Sequence, residues 1–253
     1  MKVAAIYDIH SNLPAFEAVL DEIQAEQPDL ILVGGDIVSG PMPRATIERL
    51  WQLGERVRLI RGNGEREVVT AFDGLSLEAL PAEVRETTQW TANQLERPHR
   101  DFLSSLPLQL IINIDGLGDV LFCHATPRND VEIFTQISPE ERLRIFFAGV
   151  QQKMVVCGHT HMHFERSIDG IRVVNAGSVG MPYADQPGAY WALLGPDVIF
   201  KHTAYDLQEA AERIRTSGYP GAQEFVEENV LKVPGIDEAS QFFEQMASRQ
   251  PME

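Results

Sequence analysis

The first 95 residues repeat one pattern three times, and this repetition restricts the fold more than any other feature of the chain. Short apolar segments at residues 3–7, 30–33 and 57–60 each precede a polar loop and a stretch with helical spacing of apolar residues. Alternation of this kind indicates parallel strands joined by right-handed crossovers. Such sheets bind ligands at the carboxyl ends of their strands. The sequence therefore predicts a functional edge at those strand ends.

After a helical connection at residues 75–106, pairs of apolar segments follow one another at close spacing. The pairs are 108–114 with 120–123, 164–168 with 171–174, and 189–194 with 198–203. Their loops contain Asp115-Gly116, Asp169-Gly170 and Gly195-Pro196-Asp197, which are typical of hairpin turns. We therefore expect the second half to be largely antiparallel, with a helix at 206–216 and an acidic helical remainder.

The chain shows no repeat, low-complexity tract or linker, so we predict one domain over residues 1–253 with a C-terminal helical segment at about 206–253. An apolar fraction of 44% and a charged fraction of 23% are typical of a globular protein and exclude disorder, collagen and coiled coil. We predict an α/β fold in which two facing sheets of mixed strands are flanked by helices.

The chain is acidic, with 21 basic and 37 acidic residues and a formal net charge of −16. This charge disfavours generic binding to a nucleic-acid backbone or an anionic membrane. An anionic substrate would need local positive charge, which a metal ion could supply. Only two cysteines occur, outside any CxxC pair, and the amino terminus resembles neither a signal peptide nor a membrane span. We expect a cytoplasmic protein.

Side chains able to bind metal follow the predicted strands at their carboxyl ends. They are Asp8, His10, Asp36, Asn63, His124, His159 and His161. In two places the spacing is i, i+2, which on an extended backbone puts both side chains on the same side. Imidazole, carboxylate and amide oxygen together suit Mn, Fe, Zn or Co, whereas all-oxygen sites suit Mg or Ca. Two cations also repel each other, and a carboxylate can bridge them whereas an imidazole cannot.

From Asp8 to about Pro182 the chain resembles the calcineurin-like metallophosphoesterase superfamily. The resemblance rests on five motifs in this order: DxH, GD, GN, H and GHxH. The resemblance implies a β-sandwich between helices, in four layers α/β/β/α, with a dinuclear metal site. One ion would then bind Asp8, His10, Asp36 and His161, and the other Asp36, Asn63, His124 and His159, with Asp36 bridging. Manganese would be expected first, with Fe, Zn, Ni or Co as alternatives.

Further residues resemble the small bacterial and archaeal phosphodiesterase branch of that superfamily: Ser11-Asn12, and Asn175 to Gly180 with Ala176 in place of a proline. One position departs from the wider family, where a histidine often follows the GN motif and is taken as the general acid. Here Gly64 stands there, followed by Glu65. Glu65, His163 or a metal-bound water would have to donate the proton, or substrate preference would shift to good leaving groups.

The sequence therefore predicts a metal-dependent phosphoesterase that cleaves small phosphodiesters with a metal-activated hydroxide. Asp36, His124 and Asn63 are the predicted catalytic residues, and Asn12 and Arg128 are candidates for binding the phosphate. Arg128 could instead pair only with Glu132. The alternatives are a dinucleoside polyphosphate hydrolase and a non-catalytic scaffold like the phosphoesterase-like subunit of retromer. A homo-oligomer remains open.

Other polar residues have simpler interpretations. Isolated histidines such as His99 and His202 are more often structural than metal-binding, and Cys123 and Cys157 fit a buried core. His163 follows His159 and His161 at the same two-residue spacing, so it is a further candidate for the site.

Overall fold

A computed structural model describes residues 1–249 and contains ten strands and nine α-helices in that range. The strands are β1 (Val3–Ile6), β2 (Leu30–Val33), β3 (Val57–Leu59), β4 (Gln109–Ile114), β5 (Gly118–Cys123), β6 (Met154–Cys157), β7 (His163–Ile168), β8 (Ile171–Ala176), β9 (Ala189–Leu194) and β10 (Val198–Thr203). The helices are α1 (Leu13–Glu26), α2 (Pro43–Trp51), α3 (Asn63–Phe72), α4 (Ala82–Asn93), α5 (Arg97–Ser105), α6 (Glu140–Phe146), α7 (Leu207–Arg215), α8 (Ala222–Asn229) and α9 (Ile236–Ala247).

The strands form two five-stranded sheets. The first has the order β10-β9-β1-β2-β3, in which β1, β2 and β3 are parallel, as the repeated strand–loop–helix pattern predicts. In the same sheet β9 runs antiparallel to both of its neighbours. The second sheet has the order β4-β5-β6-β8-β7. Together with the helices, the two mixed sheets confirm the predicted fold class.

The expectation of a largely antiparallel second half is only partly right. All three predicted hairpins form, as β4–β5, β7–β8 and β9–β10. However, β6 lies in the centre of the second sheet and is parallel to both β5 and β8. Hairpin turns are local signals, whereas the position of β6 depends on pairing between segments far apart in the chain, which no local pattern records.

Alternating side chains along the strands build the layers. Val3 and Ala5 of β1 pack between the two sheets, together with Phe122 and Val156 of the second sheet. Ala4 on the other face of β1 contacts the helices that cover the first sheet. The outer face of the second sheet is covered by a cluster that includes Leu143 of α6 and Ala239 of α9, and both cysteines are buried in it. The result is the predicted order of helices, sheet, sheet and helices.

The predicted C-terminal helical segment consists of α7, α8 and α9, and its last residues, 250–253, lie outside the described range. Helices α7 and α8 share a small core of their own, against which Met42 and Tyr205 pack. Glu244 of α9 is anchored by the guanidinium of Arg142, at 2.7 Å, on the outer face of the second sheet. That all residues form one domain stays a prediction. Within the described residues, none of the helices has the length and apolar character needed to cross a membrane.

Candidate metal centre

Loops at the carboxyl ends of β1, β2, β3, β5 and β6 bring all seven predicted ligands to one edge of the sandwich. Six of these residues form two groups in which the potential ligand atoms lie within 4.8 Å of one another. The first group, here the Asp8 trio, is Asp8, His10 and His161, and the second, here the Asp36 trio, is Asp36, His124 and His159. Their division follows the division that the family resemblance implies.

The Asp36 carboxylate lies between the two trios. Its Oδ1 is 3.6 Å from His124 Nε2, within its own trio, and its Oδ2 is 3.7 Å from His10 Nε2, in the Asp8 trio. The backbone N–H of Gly64 donates a hydrogen bond to Oδ1 at 2.8 Å, which fixes the orientation of the carboxylate. One oxygen therefore faces each group, which is the arrangement that a bridging ligand requires.

Two oxygen atoms in the centre are buried and lack a hydrogen-bond donor among the described residues: Asp8 Oδ1 and Asn63 Oδ1. Asn63 is the first residue of α3, and its amide nitrogen donates to Glu67 Oε1, which turns the oxygen away from that carboxylate. A buried polar atom without a partner is unfavourable by about 1–3 kcal/mol. A cation would satisfy both oxygens, so the residues present fit a metal site.

The histidine rings are oriented by backbone carbonyls. Nδ1 of His10, His124 and His161 lies 2.8–2.9 Å from the carbonyl oxygens of Ser39, Gly34 and Met181, respectively. Because a carbonyl only accepts, each Nδ1 carries the proton and leaves the Nε2 lone pair free. Nε2 of His10 lies 3.1 Å from Nε2 of His161, and His124 Nε2 lies 3.2 Å from His159 Nδ1. Lone pairs that face each other this closely are stabilised by a shared proton or a metal ion.

The backbone at the site adopts an uncommon conformation. Positive φ angles of 46° to 67° occur at Asp8, His10, Ser11, Asp36, His159 and His161. The left-handed region is unfavourable for residues with a Cβ and clusters at functional sites. This finding corrects the geometric reason for the i, i+2 pairs: β1 ends at Ile6 and β6 at Cys157, so the pairs lie in tight left-handed turns and not on extended strand.

Glycines let these turns approach one another. A Cβ on Gly35, whose φ is +96°, would lie 2.5 Å from the backbone nitrogen of Gly62. A Cβ on Gly158 would lie 2.4 Å from Asp8 Oδ2, which accepts the backbone N–H of His159 at 2.9 Å. The glycines of the GD and GHxH motifs therefore provide the space in which the ligands converge.

Glu65, considered above as a proton donor, joins two loops of the site. Its side chain is fully buried, and its carboxylate accepts backbone N–H groups from Asp36, Ile37 and Gly62 at 2.7–2.8 Å. It thereby ties the loop after β2 to the loop after β3. The sequence contained a signal for this function, since a glutamate three residues after a helix N-cap often accepts the N-cap amide.

Asn175 and Ser178 hold the loops that carry Asp8 and the two histidines of the GHxH motif. Asn175 Nδ2 donates to the Gly158 carbonyl at 2.7 Å and to Thr160 Oγ1 at 3.0 Å. The Ser178 hydroxyl donates to the Asp8 carbonyl at 2.8 Å. The motif around these residues was visible in the sequence, but its supporting role is apparent only from these contacts.

Electrostatics distinguish the ligands. Burial disfavours the imidazolium of His124, but the Asp36 and Asp8 carboxylates outweigh it and raise its pKa to about 10. Burial and the nearby His124 lower the pKa of His159 to about 4. Burial also disfavours charge on Asp36, yet His124 and His10 outweigh it and keep the pKa of that carboxyl low. The same carboxylates that favour a proton on His124 favour a cation there, so metal binding and protonation compete at this ring.

The two predicted phosphate-binding residues have partners within the protein. Asn12 caps α1, accepting the Ala15 N–H and donating to the Gly180 carbonyl at 3.0 Å. Arg128 lies 3.4 Å from Glu132, but it also lines a cavity of about 190 Å³ together with His124. Their contact with substrate stays a prediction.

His163, considered as a further ligand, is not part of either metal-binding trio. Its ring lies 4.6 Å from Phe200 and 5.1 Å from Tyr190, where β7 faces β10. His99 is stacked on Trp51 at 5.1 Å, as expected for a structural histidine.

Known proteins resemble this chain over most of its length. The calcineurin-like phosphoesterase superfamily domain matches residues 1–195. An uncharacterized protein of Methanocaldococcus jannaschii is 28% identical over 237 residues, covering 86% of this chain and 93% of its own. The phosphodiesterase YfcE of Escherichia coli K12 is 26% identical over 208 residues, covering 79% and 90%. The crystal structure of a metallophosphoesterase from Sphaerobacter thermophilus is similar with a TM-score of 0.69 and 27% identity, covering 90% and 97%.

Proposed function

Because this chain belongs to the calcineurin-like phosphoesterase superfamily, we propose that it hydrolyses phosphodiesters with two divalent cations bound at the metal centre. The observation that carries the proposal is the position of Asp36, which directs one carboxylate oxygen toward each trio. The similarity to YfcE, which is named a phosphodiesterase, supports diesters as the substrate class. A small-molecule phosphodiester is thus the proposed substrate.

In this proposal the seven predicted ligands are divided between the two cations. Asp8, His10 and His161 would hold one cation, His124, His159 and Asn63 would hold the other, and Asp36 would bind both. When bound, the ions polarise the phosphoryl oxygens and lower the pKa of a coordinated water toward neutrality. The mixed nitrogen and oxygen ligands favour manganese, with Fe, Zn, Ni or Co as alternatives. Glu65 and Gly64 keep Asp36 in its bridging orientation through their hydrogen bonds.

The cavity of about 190 Å³ beside His124 is the proposed position of one part of the substrate. Arg128 and Thr126 line it, so a guanidinium and a hydroxyl lie next to the Asp36 trio. Arg66 is close to the same cavity and pairs with Asp130 at 3.0 Å. A phosphate oxygen could be bound by Arg128 in place of its contact with Glu132, which is long for an ion pair at 3.4 Å.

The two side chains considered as proton donors for the leaving group both have other contacts. The Glu65 carboxylate is occupied by three backbone amides, and His163 is packed against Tyr190 and Phe200. General acid catalysis contributes about 10²–10⁴-fold where it operates. We therefore expect activated diesters and phosphoanhydrides to react faster than alkyl monoesters, with a steep dependence of rate on the pKa of the leaving group.

Two measurements test the proposal. Protein purified without chelator is expected to contain two transition-metal ions per chain, and a series of aryl phosphodiesters is expected to give that steep dependence with Mn²⁺. Bound metal without any turnover on the series would instead support the non-catalytic scaffold. Faster hydrolysis of dinucleoside polyphosphates than of every diester would favour the alternative substrate class. A flat dependence would show that a proton donor is present after all.

We also propose that the enzyme is cytoplasmic. Cys123 and Cys157 are both free and buried in the core, which is consistent with a reducing compartment.

A further inference from the structure

The outer edge of the second sheet is formed by β4. Within residues 1–249 this strand pairs only with β5, and beyond that ladder no backbone hydrogen bond reaches residues 109–113. Two apolar side chains at this edge are strongly exposed, Leu108 by 45% and Ile111 by 56%. An open strand edge presents a row of N–H and C=O groups that can pair with a further strand. β4 therefore offers a surface for strand addition.

The other three edge strands of the sandwich are protected against such pairing. β10 contains Lys201, whose ammonium group pairs with Glu22 and Glu26 at 2.8–2.9 Å. β7 contains Glu165 and Arg166, and β3 is only three residues long. Charged side chains and short strands are the usual means by which proteins prevent pairing between edges. β4 has neither, because its six residues, QLIINI, include no charge and no proline.

The surface beside β4 is also uncharged. A groove of about 260 Å³ lies next to the strand, and no acidic or basic residue lines it. Its apolar walls include Ile111, Leu121 and Val150. The chain carries a formal charge of −16, so two copies repel each other, and the repulsion is weakest where both surfaces lack charge. This edge is therefore suited to contact with a second, equally acidic copy of the chain.

The sequence of β4 is complementary to itself in one antiparallel register. A two-fold axis perpendicular to the sheet keeps each side chain on its own face, and opposed residues of an antiparallel pair share a face. With Ile111 on the axis, Ile111 lies opposite Ile111, Leu110 lies opposite Ile112, and Gln109 lies opposite Asn113. Apolar side chains then meet apolar side chains, and each carboxamide meets another carboxamide. Such cross-strand pairs are the contacts that stabilise a sheet.

The two ends of β4 are complementary in charge. Near the β4–β5 turn, Asn113 donates its amide N–H to Asp119 Oδ1 at 2.7 Å, which leaves its own oxygen to accept from a Gln109 amide. At the other end, Gln109 lines the cavity beside His124 together with Arg128. Antiparallel pairing brings the Asp119 end of each copy toward the Arg128 end of the other, so opposite charges approach each other at both ends.

We propose that a second copy of this chain pairs antiparallel along β4, so that the two second sheets join into one continuous sheet across a two-fold axis at Ile111. Each copy uses the same edge, so the contact is closed and produces a dimer, not a filament. The inference concerns assembly, so it goes beyond the proposed function and does not depend on it.

The first test is the mass of the protein in solution. Sedimentation velocity at micromolar concentration is expected to show a particle of twice the chain mass. Ile111→Lys places two ammonium groups opposite each other on the axis, so we expect the dimer to bind at least about 100-fold more weakly. Because Ile111 is largely exposed, the fold should tolerate the change, which circular dichroism checks. A wild-type protein that is monomeric throughout this range would overturn the proposal and would leave the edge to a different partner.

A matched control assigns the contact to β4. Ile199 on the β10 edge is also 56% exposed, and Ile199→Lys is expected to leave the dimer intact. Dissociation of the dimer by Ile199→Lys but not by Ile111→Lys would place the contact at the other edge of the sandwich and overturn the proposal.

A mixing experiment tests the two-fold register. Ile111→Glu alone should be monomeric for the same reason as Ile111→Lys, since two carboxylates then face each other. In an equal mixture of the two variants a lysine faces a glutamate, so we expect heterodimers that bind at least about tenfold more tightly than either variant binds itself. A mixture as weakly associated as the separate variants would show that Ile111 does not lie opposite itself, which contradicts the proposed axis.

Discussion

The two ends of the β-sandwich use the same backbone conformation with different residues. At the metal-centre end, aspartate and histidine occupy left-handed positions, with φ of 52° at Asp8 and 67° at His159. At the opposite end, where the β4–β5 and β7–β8 turns lie, glycine occupies most such positions, with φ of 86° at Gly116 and 84° at Gly170. Asp169, at 47°, is the exception there.

This difference shows where stability is given up for function. Each left-handed residue with a Cβ is unfavourable by about 1–2 kcal/mol relative to the right-handed conformation. Hydrogen bonds hold the strained loop after β1 against the loop after β2. The N–H groups of Asp8, His10 and Ser11 donate to the carbonyls of Gly35, Asp36 and Ile37 at 2.9–3.1 Å. At the opposite end glycine avoids the strain, and the carboxylates are exposed, with 82% of Asp115 accessible. Strain and buried charge thus coincide at the metal centre.

The largest difference between the two ends is expected when an aspartate at each end is replaced by asparagine. Asp36→Asn replaces the bridging carboxylate with a neutral amide, so we expect loss of at least one metal ion and at least about 100-fold of the turnover. Asp169→Asn is the control, since Asp169 is also left-handed but exposed. Metal analysis and kcat on an aryl diester provide the measurement. Unchanged metal content and rate in Asp36→Asn would disprove the dinuclear assignment.

A second prediction divides the metal-centre end itself into the two trios. The double variant of His10→Ala and His161→Ala removes two ligands from the Asp8 trio, so we expect about one ion per chain to remain. The double variant of His159→Ala and His161→Ala removes one ligand from each trio, so both ions should be weakened at least about tenfold. Titration with Mn²⁺ distinguishes these patterns. The same stoichiometry and affinity in both variants would show that the split is wrong.

A third prediction compares buried and exposed glutamates. Glu65→Gln exchanges an acceptor of three backbone N–H groups for an amide with a single acceptor oxygen. We expect the free energy of unfolding to fall by about 3 kcal/mol, because each buried N–H left without an acceptor is unfavourable by about 1–3 kcal/mol. Glu165 forms an ion pair with Arg172, and 40% of the Glu165 side chain is exposed. Glu165→Gln should therefore lower the free energy of unfolding by less than about 1 kcal/mol. Urea denaturation measures both.

The kinetics of the Glu65 variant add a further distinction. If Glu65 only positions the loops, the slope of rate against leaving-group pKa should equal that of the unmodified enzyme. A steeper slope in Glu65→Gln would indicate that this carboxyl donates a proton, contrary to the contacts seen.

The smallest difference between the two ends is expected when a glycine at each end is replaced by alanine, which adds one methyl group. A Cβ on Gly64 would lie 2.2 Å from Ser39 Oγ and 2.9 Å from Asp36 Oδ1. Gly64→Ala should therefore displace the bridging carboxylate and lower the free energy of unfolding by about 1–3 kcal/mol, the usual range for overpacking. Nothing lies within 4 Å of a Cβ on Gly195, so Gly195→Ala should change it by less than about 1 kcal/mol. Equal effects would mean that Gly64 is not confined as described.

The fold class could be predicted from the sequence alone, and so could a candidate set of metal ligands. Short apolar strand segments, turn residues and helices with an apolar pattern near 3.6 are local features, so the three parallel units and all three hairpins could be predicted from neighbouring residues. The metal-binding residue types were equally visible, because only a few side chains bind divalent cations. Five of the seven directly followed a predicted strand or a glycine, and His10 and His161 came two residues later.

Tertiary structure decided how these parts are arranged. The parallel position of β6 between β5 and β8 depends on pairing between distant segments. The left-handed turns at Asp8 and His159 exist because hydrogen bonds from other loops hold them, and an isolated segment would relax to an extended conformation. Glu65 likewise links two loops because the fold directs three backbone amides at its carboxylate. Local patterns record what a segment prefers, whereas strain and buried charge persist only where the rest of the fold supports them.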